Sequence, residues 1–202
     1  MRPAGNSIEV PMSKELTEIR WHGRGGQGVK TAATMAAEVA LEEGKFAQGF
    51  PEYGPERMGA PVQGYTRISD NVITIHCGVA NPDVVMVLDN SLVGQIDVTA
   101  GLADDGILVI NTPESPAEIR KRLGLKGMKL YTVDATQISI DELGRSIPNT
   151  PMMGALVKIT ELLTMDTLKK DVQKKFMKKF GDRIVQGNFR SLERAYREVK
   201  SE

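Results

Sequence analysis

Hydrophobic positions alternate with polar ones, or run unbroken in short stretches, through the first two thirds of the chain, and they recur at helical spacing in the last third. Residues 15–21 predict a first strand that ends in the glycine cluster Gly23, Gly25, Gly26 and Gly28. Val29, Ala32, Ala33, Ala36, Ala37, Ala40 and Leu41 then return every three or four residues, predicting a helix whose inner face is mostly alanine, with Gly44 placed to end it. Such small side chains let a helix lie close to a sheet. Residues 45–50 predict a short strand, and the proline- and glycine-rich stretch 51–61 that follows excludes helix.

Residues 62–69 and 72–76 alternate well enough for two strands, and Asp70-Asn71 between them predicts a tight antiparallel hairpin. The run 83–89 is apolar between its terminal aspartates, as in a strand covered on both faces of a parallel sheet. A helix over 91–102, a strand over 106–110, a helix over 116–123 and a strand over 128–133 continue the alternation, which defines an α/β fold. Helices are predicted over 152–163, 166–180 and 185–199, with Asp166 as an N-cap. Lys169, Lys170, Lys174, Lys175, Lys178 and Lys179 make this end basic, which reads as the solvated face of an amphipathic helix. Residues 1–14, with Pro3, Gly5, Asn6 and Pro11, predict an irregular arm before one domain spanning 15–202.

Charge and composition narrow the function. The 202 residues carry 26 Lys plus Arg against 26 Asp plus Glu, without the basic excess of a duplex-binding protein, so no nucleic acid partner is expected. No apolar run approaches the ~18 residues of a membrane span, and residues 1–14 lack the apolar region of a secretory signal. A cytoplasmic protein is expected. Cys77, His22 and His76 cannot supply a four-cysteine iron–sulfur site or a Cys/His zinc site, so redox metal chemistry falls to another chain.

Gly23-Arg24-Gly25-Gly26-Gln27-Gly28 satisfies G-x-G-x-x-G after a strand and before a helix. Glycines there allow close backbone approach, and the free N–H groups at a helix start favour a phosphate or carboxylate. A dinucleotide site also needs an acid about 20 residues on, at the end of the second strand. Gln48-Gly49-Phe50 stands there and Glu52 lies just beyond it, so NAD or FAD is weakly supported. Val29 separates Gly28 from Lys30, which breaks the Walker spacing. Arg57 in the proline-rich loop can grip an anion bidentately or pair with Glu52 or Glu56. His76 and Cys77, as neighbours on a strand, would point to opposite faces, and Cys77 reads as a buried structural cysteine. Asp89 and Asn111 follow buried strands, where such sheets place ligand groups, but both are also common turn and cap residues. No triad, metal cage or carboxylate dyad emerges.

Taken together, residues Glu18 to Gly28, the loop Phe50-Pro51-Glu52-Tyr53-Gly54-Pro55-Glu56-Arg57 with Gly59-Ala60-Pro61, Asn81-Pro82-Asp83, and Pro148-Asn149-Thr150-Pro151-Met152-Met153-Gly154-Ala155 resemble the gamma subunit of 2-oxoacid:ferredoxin oxidoreductases. The Phe-Pro-Glu-Tyr-Gly loop is similar to the pyruvate branch, although Met58 departs from the small or polar residue often found there. The resemblance implies a Rossmann-like three-layer α/β domain with a mixed, partly barrel-like sheet and C-terminal helices.

It further implies a complex that converts pyruvate and CoA to acetyl-CoA and CO2 with reduction of ferredoxin. Alpha, beta and delta subunits would be the partners, thiamine diphosphate with magnesium would lie between alpha and beta, and iron–sulfur clusters would lie on beta and delta. Choice of 2-oxoacid would rest mostly with other subunits, and the isolated chain would be inactive. Cofactor-site residues expected here are Gly23, Gly25, Gly26, Gln27 and Gly28, whose backbone would receive a CoA phosphate or a charged neighbouring subunit, with Arg57 adding a guanidinium. Glu52, Tyr53, Glu56 and Asn149 are expected to shape the loop or contact a partner. The alternative is a purely structural assembly subunit.

Overall fold

In the computed structural model, which describes residues 15–52 and 59–202, the first strand is longer than its alternation suggested: β1 (Leu16–Arg24) continues through Gly23. It is the spine of the sheet. On one side it pairs antiparallel with β3 (Pro61–Ser69), in register from Leu16 opposite Ser69 to Arg24 opposite Pro61, and on the other it pairs parallel with β4 (Val84–Val87). β2 (Phe46–Pro51) edges the sheet beside β3, while β5 (Ile107–Asn111), β6 (Lys129–Val133) and the short β7 (Lys200–Ser201) follow β4, giving the order β2-β3-β1-β4-β5-β6-β7. β1, β4, β5 and β6 run parallel, whereas β3 and β7 are antiparallel to their neighbours, so the sheet is mixed.

Alternation sorts the core into two sides of this sheet. Ile19, Trp21, Val84, Met86, Val109 and Val133 pack with α1 (Val29–Glu42), α3 (Ala135–Leu143), α4 (Asn149–Thr160), α5 (Met165–Phe180) and α6 (Asp182–Glu198). Val85, Val87, Leu108, Ile110 and Leu130 face the other way, against Ile119 of α2 (Pro116–Leu123) and Leu92 and Val98 of an irregular connection. Helices thus form a thick layer on one side and a thin one on the other.

α1 lies close on the sheet, as its alanines predict. A Cβ on Gly49 would sit 2.6 Å from the Ala33 carbonyl oxygen and 2.8 Å from Ala37 Cβ, and one on Gly64 would sit 3.1 Å from Ala33 Cβ. The Trp21 indole donates to Thr66 Oγ1 at 3.0 Å, and Thr66 in turn donates to the Ala33 carbonyl at 2.8 Å, tying β1, β3 and α1 together. Gly44, at φ +81°, ends the helix with paired bonds from Gly44 N to Leu41 O and Lys45 N to Ala40 O.

The hairpin expected over 62–76 does not form. Both edges of β3 are already paired, to β1 and to β2, so residues 72–76 find no free edge and run as irregular chain with Val72 and Ile75 exposed. Cys77 is exposed, not buried. The helix expected over 91–102 shrinks to one turn at Asn90–Leu92. Gly94 and Gly101 adopt positive φ, and Asp97 Oδ1 accepts from both the amide and the hydroxyl of Thr99, a local turn that competes with helix. α3 was not anticipated, although Asp134 caps it by accepting from Gln137 N and Gly144 closes it at φ +70°. Thr164, not Asp166, is the N-cap of α5. α2 matches its predicted span, with Ser115 and Glu118 forming a reciprocal capping box.

Lys174 and Lys175 of α5 pair with Glu42 and Glu38 of α1, and Lys169 pairs with Glu193 of α6. Lys170, Lys178 and Lys179 are exposed. Among the described residues no helix is long and apolar enough to cross a membrane.

The close approach of α1 gives a direct expectation for urea unfolding. Gly49→Ala should cost roughly 1–3 kcal/mol, because backbone must move to admit the methyl group. Gly44→Ala, strained but open to solvent, should cost about 1 kcal/mol. A Gly49→Ala variant as stable as the parent would contradict the packing described.

Candidate functional site: the glycine turn between β1 and α1

The turn is made rigid by its own side chains. Gln27 Oε1 accepts from Arg24 N at 2.7 Å while its Nε2 donates to Asp89 Oδ2 at 2.5 Å, so one amide bridges the end of β1 to the end of β4. Burial alone would raise the Asp89 carboxyl, but hydrogen bonds from Ser91 and Gln27, with the Arg24 charge beside it, hold it below the usual carboxylate range. Arg24 donates to Ser91 Oγ, to Gln95 Oε1 and to the Gly59 carbonyl, fastening the turn to both flanking loops.

These bonds decide which amides are available. Gly25 N donates to Ala60 O at 3.0 Å and Gln27 N to Arg24 O at 3.1 Å, so two of the five residues expected to face a ligand have their amides committed within the chain. The amides of Gly26 and Gly28 and the first turn of α1 remain. Gly28 is the N-cap of α1 in the left-handed region, at φ +82°, and no side chain caps that helix. Gly23 faces inward, with Val29 Cγ2 only 2.6 Å from where its Cβ would stand, so its smallness serves packing.

A cleft of about 490 Å³ opens beside the turn, lined by Gly25, Gly26, Gly28, Lys30, Glu52 and Gln63 among others. Lys30, which the broken Walker spacing does not mark, is exposed here, and its ammonium makes no ion pair with a described residue. Glu52 accepts from the Tyr65 hydroxyl at 2.9 Å. Burial first, then this bond to a carboxylate, pushes the Tyr65 phenol up to about 12. Arg57, Tyr53 and Glu56 lie outside the described residues.

Asn149 stands on the other side of the turn, 6% exposed, with its amide nitrogen 2.6 Å from the Cβ position of Gly28. Asp89 and Asn111 resolve to structural duty. Asn111 Nδ2 donates to Leu88 O and Thr136 Oγ1, and its Oδ1 accepts from Thr136 N at the start of α3.

Sequence alternation gave no sign of a buried polar layer behind the turn. The Arg20 guanidinium donates from Nε to His22 Nε2 at 3.0 Å and from Nη2 to the carbonyls of Val98 and Ala100. Arg67 pairs with Glu18 at 2.7 Å and lies over the Phe50 ring. His22 Nδ1 is buried without a partner among the described residues. Burial, then the Arg20 charge, lowers the His22 pKa to about 4. Among the described residues no group of three or more His, Cys, Asp or Glu could hold a metal ion.

The geometry defines an α/β domain with a cleft beside its glycine turn, and similarity to known proteins supplies the family. A model described as pyruvate ferredoxin/flavodoxin oxidoreductase matches residues 18–198, and the chain belongs to that family as a subunit of the gamma type. It is 48% identical over 191 residues to pyruvate synthase subunit PorC of Thermotoga maritima, covering 95% of this chain and 98% of that protein. It is 43% identical over 185 residues to the pyruvate/ketoisovalerate oxidoreductases common subunit gamma of Pyrococcus furiosus, covering 92% and 98%. The crystal structure of pyruvate oxidoreductase subunit PORC from Thermotoga maritima superposes with a TM-score of 0.83 at 45% identity, over 94% of this chain and 99% of that one.

The buried imidazole sets a pH dependence. Its folded pKa lies below the unfolded value near 6.5, so the unfolded chain binds the extra proton first and stability falls as pH drops toward 4. From pH 7 to pH 5 this single group should remove about 2 kcal/mol of unfolding free energy. The slope should shrink by that amount in His22→Gln; an unchanged slope would show that His22 titrates normally.

Proposed function

We propose that this chain is the gamma subunit of a cytoplasmic pyruvate-type 2-oxoacid:ferredoxin oxidoreductase and that its glycine turn engages CoA. In this reading the complex cleaves pyruvate to CO2, transfers the acetyl group to CoA and passes two electrons to ferredoxin. Thiamine diphosphate with magnesium and the iron–sulfur clusters sit on the alpha, beta and delta subunits. The chain's one cysteine accords with that division.

The observation carrying the reading is the cleft in which the amides of Gly26 and Gly28, the uncapped start of α1 and the Lys30 ammonium meet. A helix start favours an anion by roughly 0.3–1 kcal/mol, and an unpaired ammonium adds to it. Glu52 lies in the same cleft but is tied to Tyr65, which leaves the glycine end for a CoA phosphate. Arg57 supplies a further guanidinium, and Glu52, Tyr53, Glu56 and Asn149 shape the loop or contact a neighbouring subunit. The Pyrococcus furiosus relative is named for a subunit common to pyruvate and ketoisovalerate enzymes, which accords with 2-oxoacid choice made on other chains.

A purely structural subunit is the second reading, favoured by the two turn amides already used internally. The two separate in the assembled complex. Gly26→Asp places a carboxylate at the open amides, and Arg57→Ala removes the loop guanidinium. Each should weaken apparent CoA affinity about tenfold, equivalent to ~1.4 kcal/mol, with subunit stoichiometry unchanged. Unaltered CoA affinity in both variants, with normal assembly, would leave the chain as scaffold.

A further inference from the structure

A second cavity, of about 280 Å³, opens on the Asn149 side of the glycine turn, and none of the side chains beyond the turn glycines is shared with the Lys30 cleft. Its polar end is where two helices begin. Gly28 and Thr31 belong to the start of α1, Asn149 and Thr150 to the start of α4, and neither N-cap residue, Gly28 or Pro148, makes a side-chain cap bond. The partial positive charges of both helix starts therefore meet in one space.

Three further observations point to an anionic ligand. Asn149 is 6% exposed, and its Oδ1 accepts from Thr150 N at 2.9 Å, which fixes the amide orientation and turns Nδ2 toward Gly28; that nitrogen donates to no described residue. A ligand oxygen in the cavity would give that donor an acceptor. Arg145 lines the rim, exposed, with no ion pair to a described residue. No Asp or Glu is among the described residues that line this cavity, in contrast to the cleft with Glu52.

The opposite wall is apolar. Phe176 and Phe180 meet edge to face with ring centroids 5.9 Å apart, and Phe180 remains 48% exposed, a large aromatic surface left uncovered beside a cationic rim. The Lys179 ammonium lies 5.2 Å from the Phe180 centroid. At about 280 Å³ the space lies near the lower end for small-molecule sites, typically about 300–1,000 Å³, enough for one anionic head and one flat ring.

We propose that this cavity binds a phosphomonoester carrying a flat apolar group, with the phosphate at the converging starts of α1 and α4 and the ring against Phe176 and Phe180. Arg145 and Asn149 Nδ2 donate to the phosphate oxygens. More donors converge here than the two oxygens of a carboxylate can use, which favours phosphate.

The site is tested on the purified full-length chain with phenyl phosphate, inorganic phosphate and phenol as probes, their affinities measured by ligand-observed NMR. Phenyl phosphate should bind roughly tenfold more tightly than either fragment. Arg145→Gln, at an exposed position where folding is not at risk, should weaken phenyl phosphate and inorganic phosphate alike, by about fivefold or more. Asn149→Asp, which keeps the acceptor for Thr150 N, should do the same. Phe180→Ala should leave inorganic phosphate unchanged and abolish the preference for phenyl phosphate. Equal affinities for the three probes, no binding at millimolar concentration, or binding unaffected by Arg145→Gln and Phe180→Ala would overturn the proposal. None of these three residues lines the Lys30 cleft, so failure here is distinguishable from failure of CoA engagement in the assembled complex.

Discussion

One side-chain amide holds the working part of this molecule in shape. Gln27 closes the turn by accepting from Arg24 N and holds it against the sheet by donating to Asp89, which sits at the end of the neighbouring parallel strand. A glycine turn without such a clamp would sample many backbone conformations, since Gly26 and Gly28 both occupy positive φ. With it, Gly25 and Gln27 turn their amides inward, and Gly26, Gly28 and the start of α1 keep theirs outward. The anion binding proposed on either side of the turn rests on that division. Gly28 also cannot carry a side chain, because Asn149 occupies the space its Cβ would need.

The fold was legible wherever the local pattern and the long-range pairing agree. The alanine face of α1, the Gly44 cap, the unbroken apolar strands and the Ser115-capped α2 all express local rules that the sheet then uses. The strand expected at 72–76 failed for a reason no local pattern contains, namely that β2 and β1 already hold both edges of β3. The 91–102 helix lost to the Asp97–Thr99 turn and to the Arg20 guanidinium, which collects the Val98 and Ala100 carbonyls that a helix would have used internally.

Candidate site residues divide in the same way. The motif located the turn and the helix start, because those depend on glycines and spacing alone. It could not separate Gly23, which is small for packing, from Gly28, which is small for conformation and for Asn149. Nor could it reveal that Lys30 lines the cleft, since the signal sought was a Walker spacing that the chain lacks. No pattern in the sequence marked Arg20, His22 and Arg67 as buried. They are covered by backbone from 78–80 and 98–100, whose carbonyls require donors, and this exchange explains why charged side chains are buried there.

The chain belongs to a family of oxidoreductase subunits, and its glycine turn owes its shape to contacts within the chain itself. Amide hydrogen exchange on the purified chain tests the origin of that shape most directly. The amides of Arg24, Gly25 and Gln27 should exchange slowly and those of Gly26 and Gly28 rapidly, and Gln27→Ala should speed exchange at Arg24 while the strand amides of β1 stay protected. Rapid exchange across the whole turn in the parent, or protection at Arg24 untouched by Gln27→Ala, would contradict the clamp.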